Sequence, residues 1–192
     1  MTTATPPLSA RDRLTISRIL RVNHAGEFGA IRIYGAQLAL TGRYVDTRAF
    51  LQETLGHERE HLQRFADLMP ERGAKPCGAL PLWGMGGSVL GLLTVGLGRN
   101  AVLTCTEAVE RSVHRHLVQQ LAWLADRDPA LSRAIREIQV EELGHLAFAV
   151  DSKTANGRGL KALDGLVTGA TEILIWLSTY GASASMARDV RQ

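Results

Sequence analysis

Two segments of this chain set a glutamate and a histidine three positions apart: Glu58 and His61 in HEREHLQRF, residues 57–65, and Glu142 and His145 in EELGH, residues 141–145. Three positions is close to one helical turn, so each pair would present a carboxylate and an imidazole side by side on one face. Oxygen and imidazole nitrogen together suit a transition-metal ion. A single Glu-x-x-His is common on solvated helices, so the face each pair occupies decides its meaning.

Apolar periodicity turns both pairs inward. Leu51, Thr54, Glu58, His61, Phe65 and Leu68 form one stripe at alternating steps of three and four, and Leu131, Ile135, Ile138, Glu142, His145 and Ala149 form another. Two further stripes each contribute one glutamate: Leu20, Glu27, Ile31, Tyr34 and Leu38, then Leu103, Glu110, Val113, Leu117 and Leu124. No Lys or Arg lies on these stripes. A buried ion without a partner costs several kcal/mol even after relaxation, so a metal is the natural counter-charge. Four carboxylates would neutralise two divalent ions, and one Glu from each of two helices with a Glu-x-x-His from each of two others is the di-iron carboxylate pattern. Glu58 and Glu142 stand 84 residues apart, as do His61 and His145, while Glu27 and Glu110 are separated by 83. One helix pair used twice about a pseudo-twofold axis would give these offsets.

The elements that must position these residues are helical, because alternating β-branched and aromatic runs are missing. The first helix is expected to start at an N-cap Ser9, with Asp12 three residues on, and to end at Thr41 and Gly42. The second runs from about Thr47 to Met69 before Pro70, and the third from about Ser88 to Ala125. Asp128 caps a fourth helix with Pro129 in its first position, lasting to about Ala155. A fifth, apolar helix follows the NGRG turn, from Leu160 to about Tyr180. The fold expected is all-α, a four-helix bundle with an additional apolar C-terminal helix, in one domain over 1–192 with residues 1–8 disordered.

Other polar residues near the stripes have blander readings. Glu60, Glu107 and Glu141 are expected at the solvent or on a helix flank, and His57 at the surface. His24, His114 and His116 are read as hydrogen-bonding residues behind the ligands.

Composition narrows the partners. The chain has 192 residues, 45% of them hydrophobic and 21% charged, enough to bury a full core. A net charge of +3 is too small to argue for nucleic acid, although a pI of 9.2 would suit an anionic membrane surface. Cys77 and Cys105 form no CxxC pair, so a reducing compartment is expected. MTTATPPLSARDRL lacks the apolar core of a secretory signal, so the protein is expected on the cytoplasmic side. From Pro76 to Gly98 there is no charged residue, and Gly84, Gly86, Gly87, Gly91, Gly96 and Gly98 punctuate the stretch. So many glycines favour an apolar surface lying in a membrane interface over a spanning helix, with burial in the core as the alternative.

RVNHAGEFGAIRIYGAQ (21–37), HEREHLQRF, PLWGMGGSVLG (81–91), CTEAVERSVHRHL (105–117) and EELGH resemble the demethoxyubiquinone hydroxylase family in order, spacing and flanking residues, from about Asp12 to Gly181. The resemblance implies a ferritin-like di-iron monooxygenase, peripheral to a membrane, that hydroxylates the ring of a demethoxy polyprenyl quinol late in ubiquinone biosynthesis. It implies Glu27, Glu58, His61, Glu110, Glu142 and His145 as ligands to two Fe ions, with O2 as co-substrate. Tyr34 joins His24, His114 and His116 behind them. Further implications are contact with the cytoplasmic face of the cell inner membrane, or the matrix side of the mitochondrial one, and with other ubiquinone-biosynthesis proteins. The chain departs from the family at Asn23, usually Asp, at Leu117, usually aromatic, and at Leu146 and Ala147, usually His and an acid. No GxGxxG opens a helix after a strand, so electrons would come from the quinol itself or from a directly docking NADH. Three other functions stay open: a ferroxidase or iron-storage protein, a tRNA-modifying hydroxylase of the same bundle, and a non-catalytic lipid-binding assembly factor for quinone biosynthesis.

Overall fold

The computed structural model describes residues 8–42, 44–181 and 183. Among them are six α-helices and no strand: α1 (Ala10–Leu38), α2 (Val45–Leu68), α3 (Leu80–Leu97), α4 (Arg99–Leu124), α5 (Pro129–Asp151) and α6 (Arg158–Thr179). Residues 1–7 lie outside the description, as does most of the segment expected to be disordered. Leu8, its described end, packs partly buried on the core.

Local chemistry sets the helix ends as the caps require. The Ser9 hydroxyl accepts from the Asp12 N–H at 3.0 Å, and the Asp128 carboxylate accepts from the Leu131 N–H at 3.0 Å. A short 3-10 turn, Pro70–Arg72, follows α2. Arg72 then clamps Asp128 through two hydrogen bonds of 2.6 and 2.9 Å, fixing the end of α2 to the start of α5.

The long third helix expected from Ser88 to Ala125 is instead two elements. Gly98 adopts φ 102°, a conformation that side chains resist, and it ends α3 and opens α4. α3 also begins earlier than expected, at Leu80, where Pro81 occupies its first turn. α5 stops at Asp151, short of Ala155.

α1, α2, α4 and α5 form the ferritin-like bundle, with α1 against α2 and α4 against α5. α3 lies along α1, and α6 along α4. The pseudo-twofold relation therefore extends beyond the helix pairs: α1, α2 and α3 correspond to α4, α5 and α6. Glycines permit the α1–α3 approach, since a Cβ on Gly87 would sit 2.6 Å from the Gly29 carbonyl oxygen and one on Gly91 would overlap the Ile33 carbonyl. Two apolar layers fill the bundle. Ile19, Leu20, Phe65, Leu124, Leu131 and Ile138 belong to one, and Tyr34, Leu51, Val102, Cys105 and Val109 to the other. Along every bundle helix, the charged residues of interest fall between these layers.

Candidate metal centre

The structure brings the six ligand candidates into one buried cluster. Glu27 and Glu110 come from α1 and α4, and the two Glu-x-x-His pairs from α2 and α5. Glu58 and His61 are each 1% exposed, so bulk water cannot solvate their charge. The His61 Nδ1 points to Glu142 Oε1 at 3.3 Å, Glu27 Oε2 at 3.9 Å and Glu58 Oε2 at 4.0 Å. The His145 Nδ1 points to Glu58 Oε1 and Glu142 Oε2, both at 3.6 Å, and to Glu110 Oε1 at 3.8 Å.

Two sets of donors result. Glu27, Glu58, His61 and Glu142 offer atoms within 4.8 Å of one another, and so do Glu58, Glu110, Glu142 and His145. Glu58 and Glu142 belong to both sets. Within the cluster, Glu58 Oε1, His61 Nδ1, Glu142 Oε2 and His145 Nδ1 are buried without a hydrogen-bond partner. Orphaned lone pairs are costly, and four of them converging from two helices are what a pair of cations would satisfy. The donor set of carboxylates and imidazoles fits iron.

The electrostatics record the strain of crowding these groups. Burial pushes the Glu27 carboxyl up to about 7, and the charge of Glu142 adds to the rise. Glu58 and Glu110 are held well above the ordinary carboxylate value, first by burial and then by the charge of Glu142. Glu142 goes the other way. Burial alone would raise it, but the close approach of Glu110 and of the His145 and His61 imidazoles outweighs that and holds it low. Burial opposes a charge on His61, yet the Glu142 carboxylate 3.3 Å from its Nδ1 and the charge of Glu27 lift it to about 9.

Behind this cluster the four residues expected to assist are dispersed. Tyr34 donates a short hydrogen bond to Glu110 Oε1. His114 lies 3.4 Å from the Gln139 amide nitrogen, His116 lies 3.0 Å from Glu172, and the buried His24 Nδ1 has no partner. Two residues read as surface or flank positions prove to touch the ligands. Glu141 Oε2 lies 2.7 Å from His61 Nε2, and His57 Nδ1 lies 3.0 Å from His145 Nε2. His57 is half-buried, its ring stacked on that of His145 at 5.3 Å, because α2 and α5 face each other at this level. A signal existed in the sequence: His57 and Glu141 each precede a motif glutamate, and they share the 84-residue offset of the ligands. Glu60 is exposed as expected, and Glu107 pairs with Arg111 and Lys153 on the flank of α4.

A cavity of about 280 Å³ opens on the opposite side of the cluster. Glu27, Glu58, Glu110 and Glu142 form its floor, while Ile33, Trp83, Leu90, Leu93, Leu166 and Leu174 are among its walls. The reciprocal amide pair of Asn23 and Gln120, with bonds of 2.8 and 2.9 Å, is one of its few polar features. Outside the cavity, α3 exposes Leu82, Met85, Leu92 and Leu97, and α6 exposes Ile173, Trp176 and Leu177. By length and composition alone α3 could cross a membrane, but a third of it is buried, against α1.

Comparison with known proteins assigns this arrangement. The human mitochondrial NADPH-dependent 3-demethoxyubiquinone 3-hydroxylase is 34% identical over 170 residues, covering 86% of this chain and 78% of the relative. The 3-demethoxyubiquinol 3-hydroxylase of Rhodospirillum rubrum is 35% identical over 163 residues, covering 85% and 77%. Residues 14–178, which include the whole cluster and both walls of the cavity, match the family model described as ubiquinone biosynthesis protein COQ7. With its buried donors and the residues lining its cavity inside the matched span, the chain belongs to the ubiquinone biosynthesis protein COQ7 family.

Proposed function

We propose that the protein is a di-iron monooxygenase that hydroxylates the ring of a demethoxy polyprenyl quinol. The observation that carries this reading is the apolar cavity whose floor is the buried carboxylate cluster. A storage protein has no use for an oily shaft leading to its metals, whereas an enzyme acting on an isoprenoid lipid requires one.

Glu27, Glu58, His61 and Glu142 would hold one iron, and Glu58, Glu110, Glu142 and His145 the other. The bound irons supply the activation of O2: one oxygen atom enters a ring C–H bond as hydroxyl, and the other leaves as water with two electrons and two protons. Every other contribution comes from the chain. Leu90, Leu93, Leu166 and Leu174 exclude water and align the isoprenoid tail, so that only the ring reaches the carboxylates. Tyr34 fixes the Glu110 carboxylate by donating to it. Asn23 and Gln120 present amide groups to a ring oxygen in a wall that is otherwise apolar.

Electrons would come from a reduced nicotinamide, a source in keeping with the human relative, which is named NADPH-dependent, or from the quinol. The exposed apolar faces of α3 and α6 flank the mouth of the cavity, and seating them in a bilayer interface would let the lipid pass without crossing water. This reading seats the protein peripherally on the inner membrane.

The test is incubation of iron-loaded protein with a reduced demethoxy quinol under ¹⁸O-labelled O2. One labelled oxygen in the ring is the expected product. Label found only in water while ferrous iron is consumed would replace this reading with a ferroxidase, and bound lipid without O2 consumption would replace it with a lipid-binding assembly factor.

A further inference from the structure

The pseudo-twofold axis makes the ligands of the two metal positions equivalent but breaks at the residues behind them. On one side the His61 imidazole, with Nδ1 turned to the cluster, sets Nε2 2.7 Å from Glu141 Oε2. On the other side the His145 imidazole, with Nδ1 likewise turned inward, sets Nε2 3.0 Å from His57 Nδ1. His57 and Glu141 occupy corresponding places, one residue before Glu58 and one before Glu142. At equivalent points the fold has placed an acid behind one ligand and an imidazole behind the other.

Hydrogen-bond accounting fixes what each can do. A histidine that gives its Nδ1 lone pair to a metal carries its proton on Nε2 and must donate from there. His61 then donates to a carboxylate, which pulls on the proton and makes the ring a stronger donor toward a metal. His145 donates to His57 Nδ1, which can accept only with a lone pair, so the group behind His145 is uncharged. The ring stacking of His57 on His145 holds that acceptor in place. Outer partners of this kind change metal affinity by about 10–100-fold.

We propose that the two metal positions are unequal by construction: His61, backed by Glu141, forms the tighter position and fills first, and His145, backed by His57, forms the weaker one. His57 and Glu141 are thus positioning residues that set the order of loading, a statement that deepens the dimetal reading and rests on it. The unequal pair also gives the two ions different electronic surroundings, although six ligands are shared out evenly.

The experiment is anaerobic titration of the metal-free full chain with Fe²⁺, following binding by equilibrium dialysis and ⁵⁷Fe Mössbauer spectra at one and two equivalents. The wild type is expected to bind two equivalents with dissociation constants about tenfold or more apart, and to show a single dominant iron signal at one equivalent. Glu141→Gln keeps an oxygen acceptor but removes the charge, and should weaken the first step about tenfold or more while leaving the second in place. His57→Glu should instead strengthen the second step and bring the two constants together. A loss of fold would weaken both steps in both variants, and helicity measured by circular dichroism checks it. Two equal steps in the wild type, or a first step that ignores Glu141→Gln, overturns the inference and leaves the dimetal reading standing. Fewer than two irons per wild-type chain overturns both.

Discussion

The phenol of Tyr34 on α1 donates its hydrogen to the carboxylate of Glu110 on α4, tying together the two helices that carry one cluster glutamate each. Tyr34 is 1% exposed, and burial together with the charge of Glu110 keeps its own proton firmly in place, well above the ordinary phenol range. Tyr34→Phe removes the donor and leaves a buried carboxylate oxygen unpaired. Leaving a buried acceptor unpaired costs about 1–3 kcal/mol, so the metal-free variant should lose stability of that order in a urea titration. A loss below about 0.5 kcal/mol would mean that the bond is not made in solution.

Removal of a cluster carboxylate should act on iron before it acts on fold. Glu58→Ala or Glu142→Ala is expected to reduce iron occupancy far below that of Glu60→Ala, whose side chain is exposed two residues after Glu58 on the same helix. Because Glu58 and Glu142 serve both donor sets, either substitution should disturb two irons, and Glu110→Ala chiefly one. Iron per chain by elemental analysis decides. Equal occupancy in Glu58→Ala and Glu60→Ala would remove the cluster from consideration as a metal centre.

The metal-free protein should become less stable as pH rises. Glu27 keeps its proton to about 7 in the folded chain against an ordinary value of 4.5, so the unfolded state loses protons first and gains on the folded one through that window. Glu58 and Glu110, also raised, act in the same direction. His61, lifted to about 9 from 6.5, extends the decline through the neutral range. Within the cluster only Glu142, held low, opposes it, and its contribution is lost as pH falls below 4.5; outside the cluster, burial lowers His24, which opposes the decline near neutral pH. The Tm of chelator-treated protein should therefore fall between pH 5 and 9, estimated as ~2–4 °C per kcal/mol lost for a chain of this size. Bound Fe²⁺ should flatten the profile, and a metal-free Tm that rises with pH would contradict the buried placement of these carboxylates.

Charge on the exposed apolar faces should release the protein from lipid. Leu92, Leu97 and Ile173 point outward, so Lys at these positions removes interfacial contact without entering the core. Vesicle co-sedimentation should drop, while iron content stays at the wild-type level. Unchanged sedimentation would mean that these faces meet something other than a bilayer.

The clustering of the six Glu and His residues was legible because it obeys helical arithmetic: each sits on an apolar stripe, and the four stripes face one core. Helix ends were legible where a cap or proline marks them, as at Ser9, Asp128 and Pro129. The division at Gly98 was not, because an apolar run reads as one helix until a single φ turns it. Nor were the glycines of α3 understood: Gly87 and Gly91 signal close packing on α1, a fact about a neighbour 58 residues away that periodicity within α3 cannot express. His57 and Glu141 were misplaced for the same reason, since a residue adjacent to a stripe becomes internal only when another helix, here α5 or α2, stands against it.

The cluster has different surroundings on its two sides. Toward α3 and α6 lies the apolar cavity, and toward the α2–α5 rim stand His57 and the partly exposed Glu141, whose side chain is 35% accessible. Ions and protons are welcome only at the second, and a hydrocarbon tail only at the first. On the proposed reading, cargo of the two kinds does not compete for one doorway, so loading or reloading the centre with metal would not require the protein to leave its lipid.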